Sequence, residues 1–346
     1  MTKTKRTTIS DIAKMSGYSK TAVSFAFNCP QRISTAARER ILAVAKDLDY
    51  MPDPMARNFS LGKHMTAGFL LPQVLESSLD NPYTQKVIIG MGRVCEDNGY
   101  SIMLIPPLRS SIPEAVKNAT VDGIIAMGIM FDQNITEVFR RRKLPVVVID
   151  ASSNDDVTTV TIDDEMAAEI QMRAALEKGH RDIAIISLPD DAYSSSDANG
   201  ENTIRKRMKG YYRVLKEYGI KKDRLIIKSC DVTLSDSKRT AFDILSESTP
   251  SCFVCMSDIA AMGVISAIKD KGLDCPKDIS VIGFDGITNP LLNGIDLTTI
   301  VQDPIEKGKL AAQLLFSIIA GSNESTKQHT SFFLHEGETL IEFQGN

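Results

Sequence analysis

The sequence predicts an all-α head containing a helix-turn-helix, followed by an α/β core of two lobes that are each built on a doubly wound parallel sheet. Residues 8–52 show only helical periodicity, whereas from residue 66 short apolar runs alternate with amphipathic stretches. Such alternation is typical of parallel strands connected by helices on both faces of a sheet. It occurs twice in tandem, which indicates two lobes with a cleft between them.

The head begins with two short helices joined by a tight turn, in TISDIAKMSGYSKTAVSFAFN at residues 8–28. Thr8 is suited to cap the first helix, Gly17 to end it in a left-handed conformation, and Ser19 to cap the second. Apolar residues on one face of the second helix leave a row on the other. We expect this outer row to consist of Lys20, Thr21, Ser24, Phe25 and Asn28. Such a row is what a recognition helix presents to the major groove of DNA.

A third helix, capped by Ser34, is expected to close a small core with its apolar stripe of Ala37, Ile41, Val44, Ala45 and Leu48. The first 64 residues carry a net charge of +6, whereas the whole chain carries −4, so the remainder carries −10. A basic head on an acidic body is expected when one end meets phosphates. Paired helices around a glycine also occur as simple packing, but the third helix and the charge favour DNA binding.

Composition and length bound the remaining possibilities. The 346 residues allow two or three domains, and 43% hydrophobic with 24% charged residues is typical of a globular protein. No apolar run approaches the roughly 18 residues of a membrane span. The basic start MTKTKRTT lacks the apolar region of a secretory signal, so we expect a cytoplasmic protein without a membrane partner.

The sequence offers little for catalysis or metal binding. Cys252 and Cys255 form a C-x-x-C within an expected strand, where odd spacing sends the two side chains to opposite faces. We therefore expect buried free thiols, no metal and no cofactor. There is no P-loop, G-x-S-x-G or H-E-x-x-H, and Gly90 and Gly92 lie inside an expected helix instead of at a strand-to-helix turn. Catalysis is not expected.

Residues 53–64 are predicted to form a linker with about two turns of helix. Asp53 and Pro54 are suited to start that helix and Gly62 to end it. A helix this short is marginal alone in water, so it needs a partner to be stable. A bare linker is the alternative.

The core elements follow in order. Strands are expected in the first lobe at TAGFLLP, SIMLIP, DGIIAMGI and PVVVID, and in the second at DIAIISLP, LIIKSC, SCFVCMSD and ISVIGFDG. The intervening amphipathic stretches are expected to form helices. Ligands of such sheets bind beyond the carboxyl ends of the strands, which places a binding site between the lobes.

The head sequences TTISDIAKMSGYSKTAVSFAFN and ISTAARERILAVAKDLDYMPDPMARNF resemble those of the lactose-repressor (LacI/GalR) family of bacterial regulators. The core segments VDGIIA, LPVVVID, CMSDIAAMG, CPKDISVIGFDG and LTTIVQDPIEKG are similar to landmarks of the same family, so the resemblance covers nearly the whole chain. It implies a periplasmic-binding-protein-like core whose chain crosses between the lobes three times. We expect the crossings near Ile162, Asn289 and Gly321.

These crossings imply four parts. A helix-turn-helix domain is expected at 1–52, a hinge helix or linker at 53–64, an N-lobe at 65–161 and 290–321, and a C-lobe at 162–289 and 322–346. The helix IEKGKLAAQLLFSIIAG is expected to return to the N-lobe, and the tail FFLHEGETLIEF to the C-lobe.

The resemblance also implies a homodimer on a pseudo-palindromic double-stranded operator. Phosphate contacts are expected from Thr8, Ser19, Ser24, Asn28 and Ser34. Lys20 and Thr21 are expected to read base edges. Phe25 stands where many relatives have an Arg, so only an apolar contact, for instance to a thymine methyl, is expected there.

For the hinge helix, the resemblance implies packing against the same helix of a second subunit in the minor groove. Arg57 is expected to contact DNA without sequence preference. Phe59 stands where relatives usually have a Leu that wedges open a base step, and an aromatic side chain can also wedge.

In the cleft, the resemblance implies effector contacts from three main residues. Asp150 matches a position that hydrogen-bonds a ligand hydroxyl, Arg207 an arginine that grips ligand oxygens, and Asp285 an acidic residue that takes a pair of sugar or ribose hydroxyls. Further candidates are Tyr83, Ser257 and Gln302. Alternatively, a strand-end Asp caps the next helix and an Arg pairs on the surface.

The expected function is therefore a sequence-specific DNA-binding regulator, a repressor, controlled by a sugar or nucleoside-like small-molecule effector. One alternative keeps the regulator but makes the effector a protein partner. Another is a solute-binding protein with an added head. The tail after Phe343 has no leucine heptad, so a dimer is expected and not a tetramer.

Overall fold

The computed structural model describes residues 7–53, 58, 62–109, 111–129, 131–151, 157–189, 202–287, 294–322 and 325–344. The chain divides into two compact units, Met1–Met65 and Thr66–Asn346. No helix among the described residues is both long and apolar enough to cross a bilayer.

The first unit is the predicted three-helix head. Its helices are α1 (Ile9–Ser16), α2 (Lys20–Asn28) and α3 (Thr35–Asp47), with a 3-10 turn at Pro30–Arg32. The predicted caps are confirmed: the hydroxyls of Thr8, Ser19 and Ser34 accept hydrogen bonds from backbone N–H groups of α1, α2 and α3, and Gly17 has φ +80°. The fully buried core consists of Ile12, Val23, Ala26, Ile41 and Ala45.

Only part of the predicted hinge helix lies within the described residues. Asn58 is helical, its backbone carbonyl accepts from Lys63 N–H at 3.1 Å, and its amide donates to the His64 carbonyl at 2.9 Å. Gly62 has φ +64°, a conformation suited to the predicted stop. Arg57 and Phe59 lie outside the described residues.

Two six-stranded sheets form the second unit. The first sheet has the order β11-β5-β4-β3-β1-β2 and the second β12-β10-β9-β8-β6-β7. The strands are β1 (Thr66–Leu70), β2 (Ser101–Ile105), β3 (Gly123–Met127), β4 (Val146–Ile149), β5 (Thr158–Thr161), β6 (Ile183–Ser187), β7 (Ile226–Ser229), β8 (Cys252–Cys255), β9 (Ser280–Asp285), β10 (Thr299–Gln302), β11 (Lys327–His329) and β12 (Phe332–His335). All pairings are parallel except β10 with β12. The strands β1–β5 and β6–β10 thus follow the same spatial order, β2-β1-β3-β4-β5 in the first sheet and β7-β6-β8-β9-β10 in the second.

Helices connect these strands. They are α4 (Leu75–Asp80), α5 (Pro82–Asp97), α6 (Ile112–Asn118), α7 (Gln133–Arg142), α8 (Asp164–Glu177), α9 (Thr203–Glu217), α10 (Leu234–Glu247), α11 (Asp258–Asp270) and α12 (Pro304–Ile319). The predicted doubly wound lobes are confirmed, because each sheet buries both faces. In β8, Cys252 and Cys255 lie in different hydrophobic clusters on opposite faces, as buried free thiols.

Two predicted lobe boundaries are wrong, although the chain crosses between the sheets three times. Near Ile162 the chain passes from the first sheet to the second lobe, since β5 belongs to the first sheet and α8 packs on the second lobe. The crossing expected near Asn289, a residue outside those described, instead follows β10, because β10 pairs in parallel with β9. The crossing expected near Gly321 instead follows β11, which pairs in parallel with β5 in the first sheet. As predicted, α12 returns to the first lobe and β12 lies in the second.

The packing of α12 on α5 depends on two glycines. A Cβ at Gly90 of α5 would overlap the carbonyl oxygen of Ile305, and a Cβ at Gly308 of α12 would overlap that of Val87. The two backbones therefore touch where the helices cross. This crossing fixes the start of α12, which borders the cleft between the lobes.

Candidate functional site

A cavity of about 170 Å³ lies between the two lobes of the core. Its walls follow the carboxyl ends of strands from both sheets, the expected place for a ligand in a fold of this kind. All six predicted effector residues line it: Tyr83, Asp150, Arg207, Ser257, Asp285 and Gln302. The structure thus brings together side chains that are up to 219 residues apart in the chain.

On the first-lobe side, Asp150 follows β4 and has φ +55°, which is uncommon outside glycine. Its carboxylate accepts a hydrogen bond from the Tyr83 hydroxyl at 2.5 Å and is ion-paired with Lys307 of α12. Burial and, after it, the nearby Asp150 charge raise the pKa of Tyr83 well above its ordinary value. The Tyr83 hydroxyl therefore stays protonated and donates a hydrogen bond to Asp150.

Lys307 connects this acidic position to the second lobe. Its ammonium donates to the Tyr83 hydroxyl at 3.0 Å and to the Gln302 amide oxygen at 2.5 Å, in addition to its ion pair with Asp150. The Gln302 amide nitrogen in turn donates to Asp285 at 2.7 Å. The two cleft carboxylates are thereby joined by one continuous set of hydrogen bonds.

Asp285, the last residue of β9, also has a positive φ, at +126°. Burial raises the pKa of Asp285 well above its usual range, and neighbouring Asp258 raises it further. Asp258 accepts from the Thr299 hydroxyl and from the Ile287 N–H, both at 2.6 Å, yet burial still raises its pKa to about 6. A ligand that donates hydrogen bonds to Asp285 would compensate the charge of a carboxylate that burial destabilises.

Arg207, on α9, is 4% exposed. Its Nε donates to Asp164 at 2.9 Å, one terminal nitrogen donates to the Met256 carbonyl at 2.7 Å, and the guanidinium lies 3.5 Å from the centre of the Phe284 ring. Burial alone would lower the pKa of Arg207, but the carboxylates of Asp164 and Asp285 raise it overall. The alternative of a surface ion pair is excluded for this arginine.

The rest of the cavity divides by chemistry. Ser257 caps α11, and its hydroxyl accepts from the Ala260 N–H at 3.1 Å. Other hydrogen-bonding groups come from Ser77, Ser78, Asn81, Thr84, Asn202 and Thr203. Apolar side chains come from Met127, Leu188, Ile204, Val232 and Met256. The cavity therefore suits a small molecule with several hydroxyl or amide groups and one apolar face.

On the head, Lys20 and Thr21 are exposed at the start of α2, whereas Ser24, Phe25 and Asn28 are partly buried. The Arg32 guanidinium lies 5.5 Å from the centre of the Phe25 ring. Sequence reasoning missed this cation, which stands over the one apolar member of the row. It places a positive charge beside a position expected to make only apolar contact.

The predicted phosphate-contacting hydroxyls mostly serve as caps. Ser19 and Ser34 accept from N–H groups at 3.1 and 3.3 Å, which leaves their hydroxyl hydrogens available to a phosphate oxygen. Thr8 differs, because its hydroxyl donates to Asp11 at 2.7 Å. Asn28 donates to the Ser24 hydroxyl at 3.3 Å.

Both the head and the core of the chain are similar to known proteins. Residues 8–53 match the family model described as bacterial regulatory proteins, lacI family, and residues 172–340 match the periplasmic binding protein-like domain. The chain is 30% identical over 335 residues to the HTH-type transcriptional repressor PurR of Histophilus somni (strain 129Pt), covering 93% of this chain and 94% of the relative.

Solved structures share the fold. The lac repressor dimer bound to operator and the anti-inducer ONPF has a TM-score of 0.77 at 22% identity, covering 97% of this chain and 100% of that one. The complex of the transcriptional regulator CelR with cellobiose has a TM-score of 0.70 at 20% identity, covering 96% and 100%. Given the helix-turn-helix head, the two-lobed core and the identity to a curated repressor, the chain belongs to the lacI family of bacterial regulatory proteins and is a transcriptional regulator, not an enzyme.

Proposed function

We propose that this regulator is a dimeric repressor that binds a pseudo-palindromic operator and is controlled by a small hydroxylated effector, a sugar or a nucleoside, in the cleft between its lobes. The observation that carries the proposal is the cavity into which both lobes direct carboxylate, guanidinium and amide groups. Proteins that share its fold support the proposal, since one is a repressor bound to operator and another a regulator bound to cellobiose.

In this proposal, α2 enters the major groove with its N-terminal end first. Lys20 and Thr21 read base edges, while Ser19, Ser24, Asn28, Ser34 and Thr8 contact phosphates. The segment at 53–64, with Arg57 and Phe59, adds minor-groove contacts. Two subunits place two heads on successive turns of the duplex, so the operator mirrors their twofold symmetry.

Replacement of Lys20 by Ala is expected to relax sequence discrimination. An ammonium that contacts a guanine contributes about 1–3 kcal/mol of discrimination against the wrong base, so its loss lowers the preference for the best half-site by about tenfold or more. The measurement is selection of binding sites from random duplex DNA, followed by fluorescence anisotropy titrations on the selected site and on single-base variants.

Lys14→Ala is the matched control, because Lys14 is also exposed but lies on α1, outside the row that begins at Lys20. This control is expected to keep the selected consensus. An unchanged consensus for Lys20→Ala as well would contradict the proposed role of α2.

The effector is proposed to donate hydroxyl hydrogens to Asp150 and Asp285 and to accept hydrogen bonds from Arg207. Binding across the cleft changes the angle between the lobes. We propose that this change alters the spacing of the two hinge segments in the dimer and hence operator affinity. A coupling free energy of about 1–3 kcal/mol is typical of such a link and is sufficient for regulation.

Asp285→Ala is expected to weaken effector binding by about 100-fold, because hydrogen bonds to a charged group contribute about 1.5–3 kcal/mol each. A thermal-shift screen of sugars, nucleosides and purines would identify a ligand, and calorimetry would then compare the variant with Asp243→Ala, an exposed aspartate on α10. Equal affinity in both variants would count against the cleft as the effector site.

A further inference from the structure

Lys307 is a buried charged residue beside the cleft to which the proposed function gives no role. It is fully buried, although lysine is among the residues least often found in protein interiors. Its place on α12 explains this, because it lies on the buried stripe of that helix together with Gly308, Ala311 and Leu315. This stripe packs on α5 and on strands β3, β4 and β5 of the first sheet, so a side chain on it is shielded from solvent.

The three hydrogens of the ammonium have three acceptors: the Asp150 carboxylate, the Gln302 amide oxygen and the Tyr83 hydroxyl. An ammonium can donate but never accept. Gln302 must therefore turn its oxygen toward Lys307, which leaves its NH₂ group to donate to Asp285. The Tyr83 hydroxyl accepts a hydrogen bond from Lys307 and donates one to Asp150. One cation thus fixes the hydrogen-bond direction of the whole set.

The same cation determines the charge of the cleft. Asp150 is balanced by Lys307, and Asp164 by Arg207, with both pairs largely buried. Asp150 nevertheless lines the cavity and keeps lone pairs for further donors, since a carboxylate accepts up to about four hydrogen bonds. Because Lys307 already balances the charge of Asp150, an uncharged ligand hydroxyl can donate a hydrogen bond to Asp150 and leave the pair neutral. A ligand ammonium at the same place would be repelled by the positive charge of Lys307.

We propose that Lys307 is a specificity-determining positioning residue of the effector cleft: it neutralises the Asp150 position and orients Gln302 toward Asp285, so that the cleft takes an uncharged polyhydroxylated ligand and rejects amines at Asp150. This inference rests on the proposed small-molecule effector. Lys307 does not itself line the cavity, so it acts on the ligand indirectly, through Asp150 and Gln302.

The first test needs no ligand. Lys307→Met and Asp150→Asn each leave one buried member of the pair without its partner, so each is expected to lower the melting temperature of the full-length protein. The double variant removes both charges and is expected to melt at or above the less stable single variant. Lys309→Met with Glu306→Gln is the matched control cycle, since that pair lies on the same helix and both side chains are at least 40% exposed. Additive losses for Lys307 and Asp150, as expected for the control, would overturn the pairing on which the proposal depends.

The second test measures selectivity. D-glucose, D-galactose, D-ribose and adenosine are titrated against the wild type, and the best binder is then compared with analogues that carry an amino group in place of one hydroxyl at a time. We expect the wild type to prefer the neutral compound by at least tenfold over one of these amines. Lys307→Met is expected to reduce that preference by tenfold or to reverse it, while Lys309→Met leaves it unchanged.

The outcomes separate the two proposals. If a neutral compound binds and is lost in Asp285→Ala, but Lys307→Met keeps the wild-type preference at every position, the role of Lys307 is wrong and the effector cleft stands. If amines bind the wild type better at every position, the inferred ligand class is wrong. If no compound of the panel binds, the hydroxylated effector and the role of Lys307 both fail, and DNA binding by the head is unaffected.

Discussion

Replacement of Gly90 by Ala is expected to destabilise the first lobe by about 3 kcal/mol or more, at or beyond the upper end of the usual cost of overpacking. The added methyl group would overlap the Ile305 carbonyl oxygen and lie 3.0 Å from the Lys309 nitrogen. These are backbone atoms of α12, so no rotamer change relieves the overlap. The two helices must separate, and the apolar contacts between them are lost.

Gly92→Ala provides a control two residues along the same helix. A Cβ at Gly92 would lie 3.8 Å from the Ile102 side chain, an ordinary van der Waals distance. Because Gly in a helix interior is less favourable than Ala by about 1 kcal/mol, this substitution is expected to raise stability. Thermal melts followed by circular dichroism should give shifts of opposite sign. Stabilisation by both substitutions would contradict the backbone contact between the two helices at Gly90.

The crossing also matters for the cleft, since Gly308 follows Lys307 directly. Close approach of α12 to α5 sets the depth at which the Lys307 ammonium meets Asp150 and Tyr83. We therefore expect a Gly90 variant that still folds to lose effector selectivity in addition to stability. If Lys307 has the proposed role, stability and ligand recognition depend on the same contact between α12 and α5.

The head was almost fully predictable from sequence because its signals are local. A cap hydroxyl, an apolar stripe and a glycine at positive φ each act within four or five residues, and Thr8, Gly17, Ser19 and Ser34 behave accordingly. The stacking of Arg32 on Phe25 was not predictable, since the distance between the two groups depends on how the chain turns after α2.

In the core, strand-end positions carried most of the information. Asp150 and Asp285 could be assigned to the cleft because the family resemblance carries those two positions over, and the structure places both beside strand ends that border the cavity. The sheet membership of β10 and β11 could not, because both are short and their neighbours are chosen by pairing, not by local pattern. This is why two lobe boundaries were misplaced.

Lys307 was missed for a different reason. It left a detectable signal, since it interrupts the apolar stripe of α12 four residues before Ala311. The partner that makes a buried lysine tolerable, Asp150, is 157 residues away in the chain. A lysine on an apolar stripe therefore predicts a buried anion, but sequence alone does not say which one.

Arg207→Met is the other substitution for which we expect a large effect. The methionine fills much of the space of the arginine stem but leaves Asp164, which is 3% exposed, without a cation. Breaking a buried pair by removing one partner typically costs about 3–5 kcal/mol, because an uncompensated charge stays behind. Burial already raises the pKa of Asp164 against the opposing effect of Arg207, and the variant removes that opposition.

Two comparisons distinguish this loss from a general effect of removing an arginine. Arg213→Met, on the same helix, breaks exposed pairs with Glu165 and Glu169 and is expected to cost no more than about 1 kcal/mol. Arg207→Met combined with Asp164→Asn removes the stranded charge and is expected to recover part of the stability, measured by urea unfolding at pH 7. Effector binding should not recover, since the proposed role of Arg207 toward the ligand is lost in both. A double variant as unstable as Arg207→Met alone would mean that the ring contact with Phe284, and not the buried charge of Asp164, makes Arg207 necessary for folding.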